Sequence, residues 1–167
     1  MRSQKFKWEN NKLEVYCDAS WAQEENNCSQ SGFIAMLNDG PIHWFSSRQE
    51  LPALSSTEAE IIAGVNCLRY TLHLRELLEG MGYPQGVTTI HMDAQNAIRF
   101  TLNEKITKRN HHIGVRYHRM QHHVRVGDVK LQFVRSIDQN ADLLTKNTAQ
   151  ETFNTLCERV MHSFGDA

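Results

Sequence analysis

Nowhere in these 167 residues is there a run of about 18 consecutive apolar side chains, the length a bilayer-spanning helix needs, so membrane insertion is not expected. The polar, basic stretch over residues 1–11 leads into no apolar core, which argues against an export signal. Cysteine is sparse. Cys17, Cys28, Cys67 and Cys157 lie far apart, without a Cys-x-x-Cys pair or a dense framework, and are expected as reduced thiols in an intracellular protein. Cys17 falls inside an apolar strand pattern and is expected as a small core residue. No charge of one sign dominates: the net charge is −1, which neither favours nor excludes a nucleic-acid partner, because phosphate binding depends on local clustering. Internal repeats and low-complexity tracts are also missing.

What is present is the composition of an ordinary globule, 40% hydrophobic and 22% charged, at a length that fits one domain. The expected division is an N-terminal extension or linker over 1–11, one domain over 12–163 and a short tail over 164–167. Charge is unevenly placed. Residues 105–127 hold six Lys or Arg, five His and no acid, which leaves twelve cations against nineteen acids elsewhere.

Residues 13–19 alternate and are rich in strand formers; a polar run follows, then a second strand from Gly32. Asn38-Asp39-Gly40-Pro41 is a turn, so the third strand, through residues 42–46, completes a hairpin. After Pro52 the period changes. Ser55-Ser56-Thr57-Glu58 reads as a capping box, with Ser55 as N-cap and Glu58 returning to its backbone, opening a helix to about Glu79 whose apolar stripe is Ile61, Val65, Leu68 and Leu72. A fourth strand over 88–92 runs directly into a short helix, with Asp93 at the junction. Residues 107–126 suit a helix with Ile113, Tyr117, Met120 and Val124 buried and a cationic outer face. A fifth strand starts at Val129, and helices are expected over about 138–146 and 149–161. The order β-β-β-α-β-α-α-β-α, plus a C-terminal helix, predicts an α/β fold: a five-stranded mixed sheet, its first three strands antiparallel, flanked by helices.

Several carboxylates fall at strand ends or helix starts, where side chains converge: Asp18, Asp93, one of Glu58 or Glu60, and Asp142. Hard cations such as Mg²⁺ take a few carboxylates and keep other positions for water and phosphate, so acids without Cys or His ligand spacing suit them. Spacing alone is weak support in a chain with nineteen acids. Glu58 and Glu60 lie about 200° apart around a helix, so only one of them faces the site. Glu58 has the capping role, while Glu60 shares a face with Gly64 and Cys67, small enough for close approach to the sheet; Glu60 is therefore placed in the site and Glu58 kept as the alternative. Asp93 has a second reading as an N-cap, and Asp142 as a solvated neighbour of a capping Asp138.

The words around these acids carry more. Cys17-Asp18-Ala19-Ser20-Trp21, Ser55-Ser56-Thr57-Glu58-Ala59-Glu60-Ile61-Ile62-Ala63, His91-Met92-Asp93-Ala94-Gln95-Asn96 and Asp138-Gln139-Asn140-Ala141-Asp142-Leu143-Leu144-Thr145-Lys146 resemble, in order and spacing, the ribonuclease H domain of copia-type LTR retrotransposon polyproteins. The likeness extends through Gly32-Phe33, Gly40-Pro41-Ile42-His43-Trp44, Ser47-Arg48-Gln49, Leu74-Arg75-Glu76-Leu77-Leu78 and His112-Ile113-x-x-Arg116-Tyr117-His118, and covers about residues 13–146. It implies the ribonuclease H-like fold and an endonuclease that cuts the RNA strand of RNA–DNA hybrids, leaving 5′-phosphate and 3′-hydroxyl ends. It also implies a site holding two Mg²⁺ ions, with Mn²⁺ as a substitute. By matching motif, Asp18 would bridge both ions, Glu60 and Asp93 would bind the one beside the attacking water, and Asp142 the other. The implied partners are the hybrid and the reverse transcriptase polymerase domain of the same polyprotein; the implied location is the cytoplasm, within virus-like particles for an active element.

The cationic helix, through Lys108, Arg109, Arg116 and Arg119, is the expected phosphate contact, with an ordinary solvated face as the bland alternative. Ser20, Gln95 and Asn96 beside the acids have donors and acceptors for the 2′-hydroxyl edge of an A-like duplex; the resemblance places Gln95 and Asn96 at the hybrid, while ordinary turn residues remain the other reading. His118 and His122, four apart, invite zinc, but the segment lacks cysteine and carboxylate partners. The stretch before Asp142 lacks the histidine of the wider ribonuclease H pattern, as copia-type domains generally do, which bears on product release rather than hydrolysis and leaves Arg135 as a candidate to act nearby, and the run after Asp142 lacks the proline often seen in the family. The rival functions are a catalytically silent hybrid-binding or tethering domain, and another nuclease of the same fold.

Overall fold

The structure, a computed structural model, describes residues 11–21, 28–50, 52–103 and 114–161, with backbone alone for 103 and 114–117. Residues 1–10 of the expected extension, the tail, and the positions of Lys105, Lys108, Arg109, His112 and Ile113 lie outside the described residues.

Strands β1 (Leu13–Ser20), β2 (Gln30–Leu37) and β3 (Gly40–Arg48) form an antiparallel meander. The β2–β3 turn bends through Asn38 and Asp39, both at positive φ (51° and 65°), as a two-residue hairpin loop needs to match strand twist. Helix α1 (Ser56–Gly80) then crosses to β4 (Thr88–Met92), which pairs parallel to β1; α2 (Gln95–Asn103) and α3 (Gly114–Val126) lead to β5 (Val129–Phe133), parallel to β4. The sheet order is β3-β2-β1-β4-β5, so β1 is central. Helix α4 (Gln150–Met161) closes the described chain.

Alternation decides which side each strand residue serves. Leu13, Val15 and Cys17 of β1, with Phe33 and Ala35 of β2, join Ile61, Leu68, Ile90, Met92 and Met120 in the main core under the helices. Tyr16, Ile34 and Met36, of opposite parity, pack with Leu143, Leu144 and Val160 on the other face. Cys17 is fully buried core, as expected from its pattern.

Helix α1 starts as the capping box predicts: the Ser55 hydroxyl accepts from the Glu58 N–H at 3.2 Å. The Glu58 carboxylate reaches one residue further back than expected, accepting from the Leu54 N–H at 2.8 Å. Gly64 lets α1 close on its neighbours, since a Cβ there would lie 3.3 Å from Met92 Cε and 3.4 Å from Met120 Cε.

One element differs from expectation. The helix predicted over 138–146 is instead two short 3₁₀ turns, Ser136–Asp138 and Asn140–Leu144, interrupted by extended Gln139 (φ −83°, ψ 98°). The cause is tertiary: the fully buried Gln139 amide donates to the Cys17 carbonyl at 3.0 Å and its oxygen accepts from the Ala141 N–H at 3.3 Å. Tying the side chain to the central strand replaces one turn of regular helix.

Candidate active site

Two neighbouring parallel strands, β1 and β4, bring their carboxyl ends together, and loops beyond such ends are where open α/β sheets form crevices. Tyr16 pairs with His91, and carrying that register two residues on aligns Asp18 with Asp93. Asp18 is fully buried, with Gly32 opposite it on β2. A Cβ on Gly32 would stand 2.7 Å from Thr145 Cγ2, so the glycine leaves room for the 3₁₀ segment to lie on the sheet. That segment delivers Asp142. Asp18, Asp93 and Asp142 offer carboxylate oxygens that all lie within 4.8 Å of one another.

Glu60, on α1, feels the charge of this group. It is buried, with Oε2 lacking a hydrogen-bond partner. Burial, reinforced by the charges of Asp18 and Asp93, pushes its carboxyl up to about 9, while Lys146 and the Ala19 N–H pull the other way. Glu58 is occupied at the helix cap, so of the two glutamates Glu60 is the one that feels the aspartates. Asp142 is raised to about 6, chiefly by burial; the Lys146 hydrogen bond opposes this and the charges of Asp18 and Asp93 add to it. Packed acids pushed upward in this way favour any cation that joins them.

Side chains without an assigned role hold the acids in place. Thr145 Oγ1 donates to Asp18 Oδ2, and Ser136 Oγ donates to Asp93 Oδ2 at 2.8 Å. Lys146 Nζ donates to Asp18 Oδ1 at 3.1 Å and to Asp142 Oδ1 at 2.8 Å, and lies 3.9 Å from Asp93 Oδ2. These carboxylates raise the lysine's affinity for its proton well above the ordinary range despite burial. The signal for Lys146 was its four-residue spacing from Asp142; nothing local points to Ser136. Arg135 turns instead to Asp138, at 2.7 Å, with its side chain largely exposed.

The expected substrate residues distribute unevenly. Gln95 and Asn96 are exposed at the start of α2, just after Asp93, whereas Ser20 is buried at the end of β1. Arg119 is exposed on α3, with Met120 beside it buried in the core. Arg116 lies on the α3 backbone. Of the histidines read for zinc, His122 is exposed. His123 bonds Asp128 at 2.7 Å.

The chain is 33% identical over 153 residues to the "Retrovirus-related Pol polyprotein from transposon TNT 1-94" of Nicotiana tabacum, covering 90% of the chain and 12% of that protein. It is 30% identical over 150 residues to the polyprotein from transposon RE1 of Arabidopsis thaliana, covering 89% of the chain and 10% of that protein. Its homologues are copia-type retrotransposon Pol polyproteins. The chain spans about a tenth of the length of these relatives. No family model matches it. Among solved structures it superposes on LC11-RNase H1, isolated from compost, with a TM-score of 0.61 at 16% identity, covering 87% of this chain and 98% of that one. The same enzyme in complex with an RNA/DNA hybrid gives a TM-score of 0.59 at 14% identity, over 80% of this chain and 94% of that one. The chain therefore has the ribonuclease H-like fold that the resemblance implied, with the mixed five-stranded sheet that the order of elements predicted.

Proposed function

We propose that this chain is a divalent-metal-dependent endonuclease that hydrolyses the RNA strand of RNA–DNA hybrids during reverse transcription of a retrotransposon. The observation that carries this reading is the meeting of Asp18, Asp93 and Asp142 from three separate elements, with their oxygens within 4.8 Å. All donors are hard carboxylate oxygens, and the unpartnered Oε2 of buried Glu60 is a further one; that set fits Mg²⁺, or Mn²⁺ in its place, and does not resemble a zinc site. Two ions bound here would neutralise phosphate charge and lower the pKa of water.

The chain's own residues do the rest. Asp18, Asp93, Asp142 and Glu60 are the proposed ligands. Thr145 and Ser136 fix the rotamers of Asp18 and Asp93, so the acids need little reorganisation when substrate arrives. Glu60 holds a proton on its carboxyl at neutral pH and releases it as positive charge enters. Gln95 and Asn96, exposed two and three residues after Asp93, are proposed to meet sugar edges of a hybrid, together with Ser20 at the end of β1. Arg119 and Arg116 of α3, with Lys108 and Arg109 preceding it, are proposed to hold phosphates. The retrotransposon setting makes the polymerase domain of the same polyprotein the proposed partner and an intracellular particle the proposed location; among the described residues no helix is long and apolar enough to cross a membrane.

The test is cleavage of a labelled RNA–DNA hybrid beside matched RNA and DNA duplexes, with Mg²⁺, Mn²⁺ or EDTA, in wild type and Asp93→Asn. Metal-dependent cutting of the hybrid RNA alone, lost in the variant, is expected. Hybrid binding without cutting would instead make the chain a silent tethering domain, and cutting of DNA duplex another nuclease of this fold.

A further inference from the structure

We propose that Lys146 is a tethered counter-cation: it holds the carboxylate cluster assembled before divalent ions arrive, and must withdraw for them to enter. It thereby sets the ion concentration at which the site loads. This rests on the metal-binding reading above and adds a residue that opposes loading to the residues that perform it.

The placement is specific. Nζ lies 3.1 Å from Asp18 Oδ1, 2.8 Å from Asp142 Oδ1 and 3.9 Å from Asp93 Oδ2, touching carboxylates from three elements at once. Consecutive residues divide Asp18 between them, Thr145 taking Oδ2 and Lys146 taking Oδ1. The backbone cooperates, since the Lys146 N–H bonds the Asp142 carbonyl at 3.0 Å. An exposed four-residue Lys–Asp pair contributes little, but the side chain of Asp18 is 0% exposed and that of Asp142 10%. Removing the cation from such acids leaves uncompensated buried charge. Without divalent ions, therefore, the ammonium is what allows Asp18, Asp93 and Asp142 to remain close.

The same chemistry makes it removable. An ammonium is a compact charge with three donors on a flexible four-carbon stem, and it competes for the same oxygens as a hard divalent ion. The Lys146 side chain is 32% exposed, so a path to solvent is open. A planar guanidinium would bind these oxygens in a fixed fork; a lysine can swing out. Ion binding and lysine contact are thus mutually exclusive at Asp18 Oδ1 and Asp142 Oδ1, and each weakens the other by the same factor.

The experiment is a calorimetric Mn²⁺ titration of wild type and Lys146→Gln, with thermal melting of each with and without the ion. Lys146→Gln is expected to bind Mn²⁺ about tenfold more tightly, within the usual span of coupling between two ligands, to melt lower without ions, and to gain more on their addition. Equal or weaker Mn²⁺ binding in Lys146→Gln, with wild type still binding ions and cutting hybrid, overturns the lysine inference and leaves the nuclease intact. Ions that bind neither protein overturn both. Should the variant not fold, ¹⁵N-lysine NMR on wild type decides: the Lys146 ammonium should be protected from exchange without ions and lose that protection as Mg²⁺ is added. Protection that persists at saturating Mg²⁺ overturns the inference.

Discussion

A β-carbon on Gly32 would stand 2.7 Å from Cγ2 of Thr145 and 2.9 Å from Cβ of Leu144. Gly32 is also the strand partner of Asp18, so the position opposite the central carboxylate is where the segment bearing Asp142 lies down. Gly32→Ala should cost about 1–3 kcal/mol through overpacking, read by chemical denaturation. Hybrid cleavage should fall further than that stability loss explains, because Thr145, Lys146 and Asp142 would all shift away from Asp18. Wild-type values of both would refute the packing relationship.

Asp18→Asn should reduce cleavage to the level seen with EDTA while leaving the fold intact. Its charge raises the carboxyls of both Glu60 and Asp142, so both should titrate lower in the variant than about 9 and about 6. Carboxyl ¹³C NMR titrations would follow this directly. Because burial is the larger cause for each, the decrease should be partial; no decrease at all would mean the three acids do not share one field.

Asp18, Glu60 and Asp93 were legible because each sits in a local word at a strand end or helix start, where period and capping fix its direction. The choice of Glu60 over Glu58 followed from helical geometry together with the capping role of Glu58 and the small residues on the face of Glu60. Lys146 had a local signal for its contact with Asp142 only, and neither it nor Thr145 or Gln139 was legible as reaching β1. Their contacts with β1 span 128, 127 and 122 residues, and no spacing rule reaches that far. The helix expected over 138–146 failed for the same reason: Asp138 and Asp142 have helical spacing, but the bond from Gln139 to Cys17 overrides it. Gly32 was legible as the start of a strand, but the approach of Thr145 to it is a tertiary contact that no local pattern carries.

Stability without ions should fall as pH rises through neutrality. Glu60 titrates near 9 in the folded protein against 4.5 ordinarily, so between those values the native state holds a proton that the unfolded chain has released, and stability declines with pH across that window. Asp142, raised from 3.8 to about 6, adds the same sign between those two values. His91 acts oppositely below 6.5, its pKa being depressed first by burial. The ion-free melting temperature should therefore be higher near pH 6 than near pH 8.5, and Mg²⁺ should raise it more at the higher pH. Calorimetry near pH 7.5 in two buffers of different ionisation enthalpy should also report about one proton released per loading event, since ligands deprotonate to bind. An ion-free melting temperature that climbs from pH 6 to 8.5 would contradict the Glu60 assignment.

Arg119 tests the substrate face. It is exposed on α3 beside buried Met120, so replacing it leaves the core alone. If its guanidinium neutralises a phosphate, Arg119→Ala should weaken hybrid binding alike for all sequences and reduce the slope of log affinity against log salt by about one. The measurement is hybrid affinity between roughly 50 and 200 mM salt, the range over which counterion release dominates, in an Asp93→Asn background that prevents cleavage. Maximal turnover of Arg119→Ala alone should stay near wild type at saturating hybrid, because the residue positions substrate without touching the reacting atoms. An unchanged salt slope would make the cationic side of α3 an ordinary solvated face, and phosphate contact would then have to come from cations elsewhere in the chain.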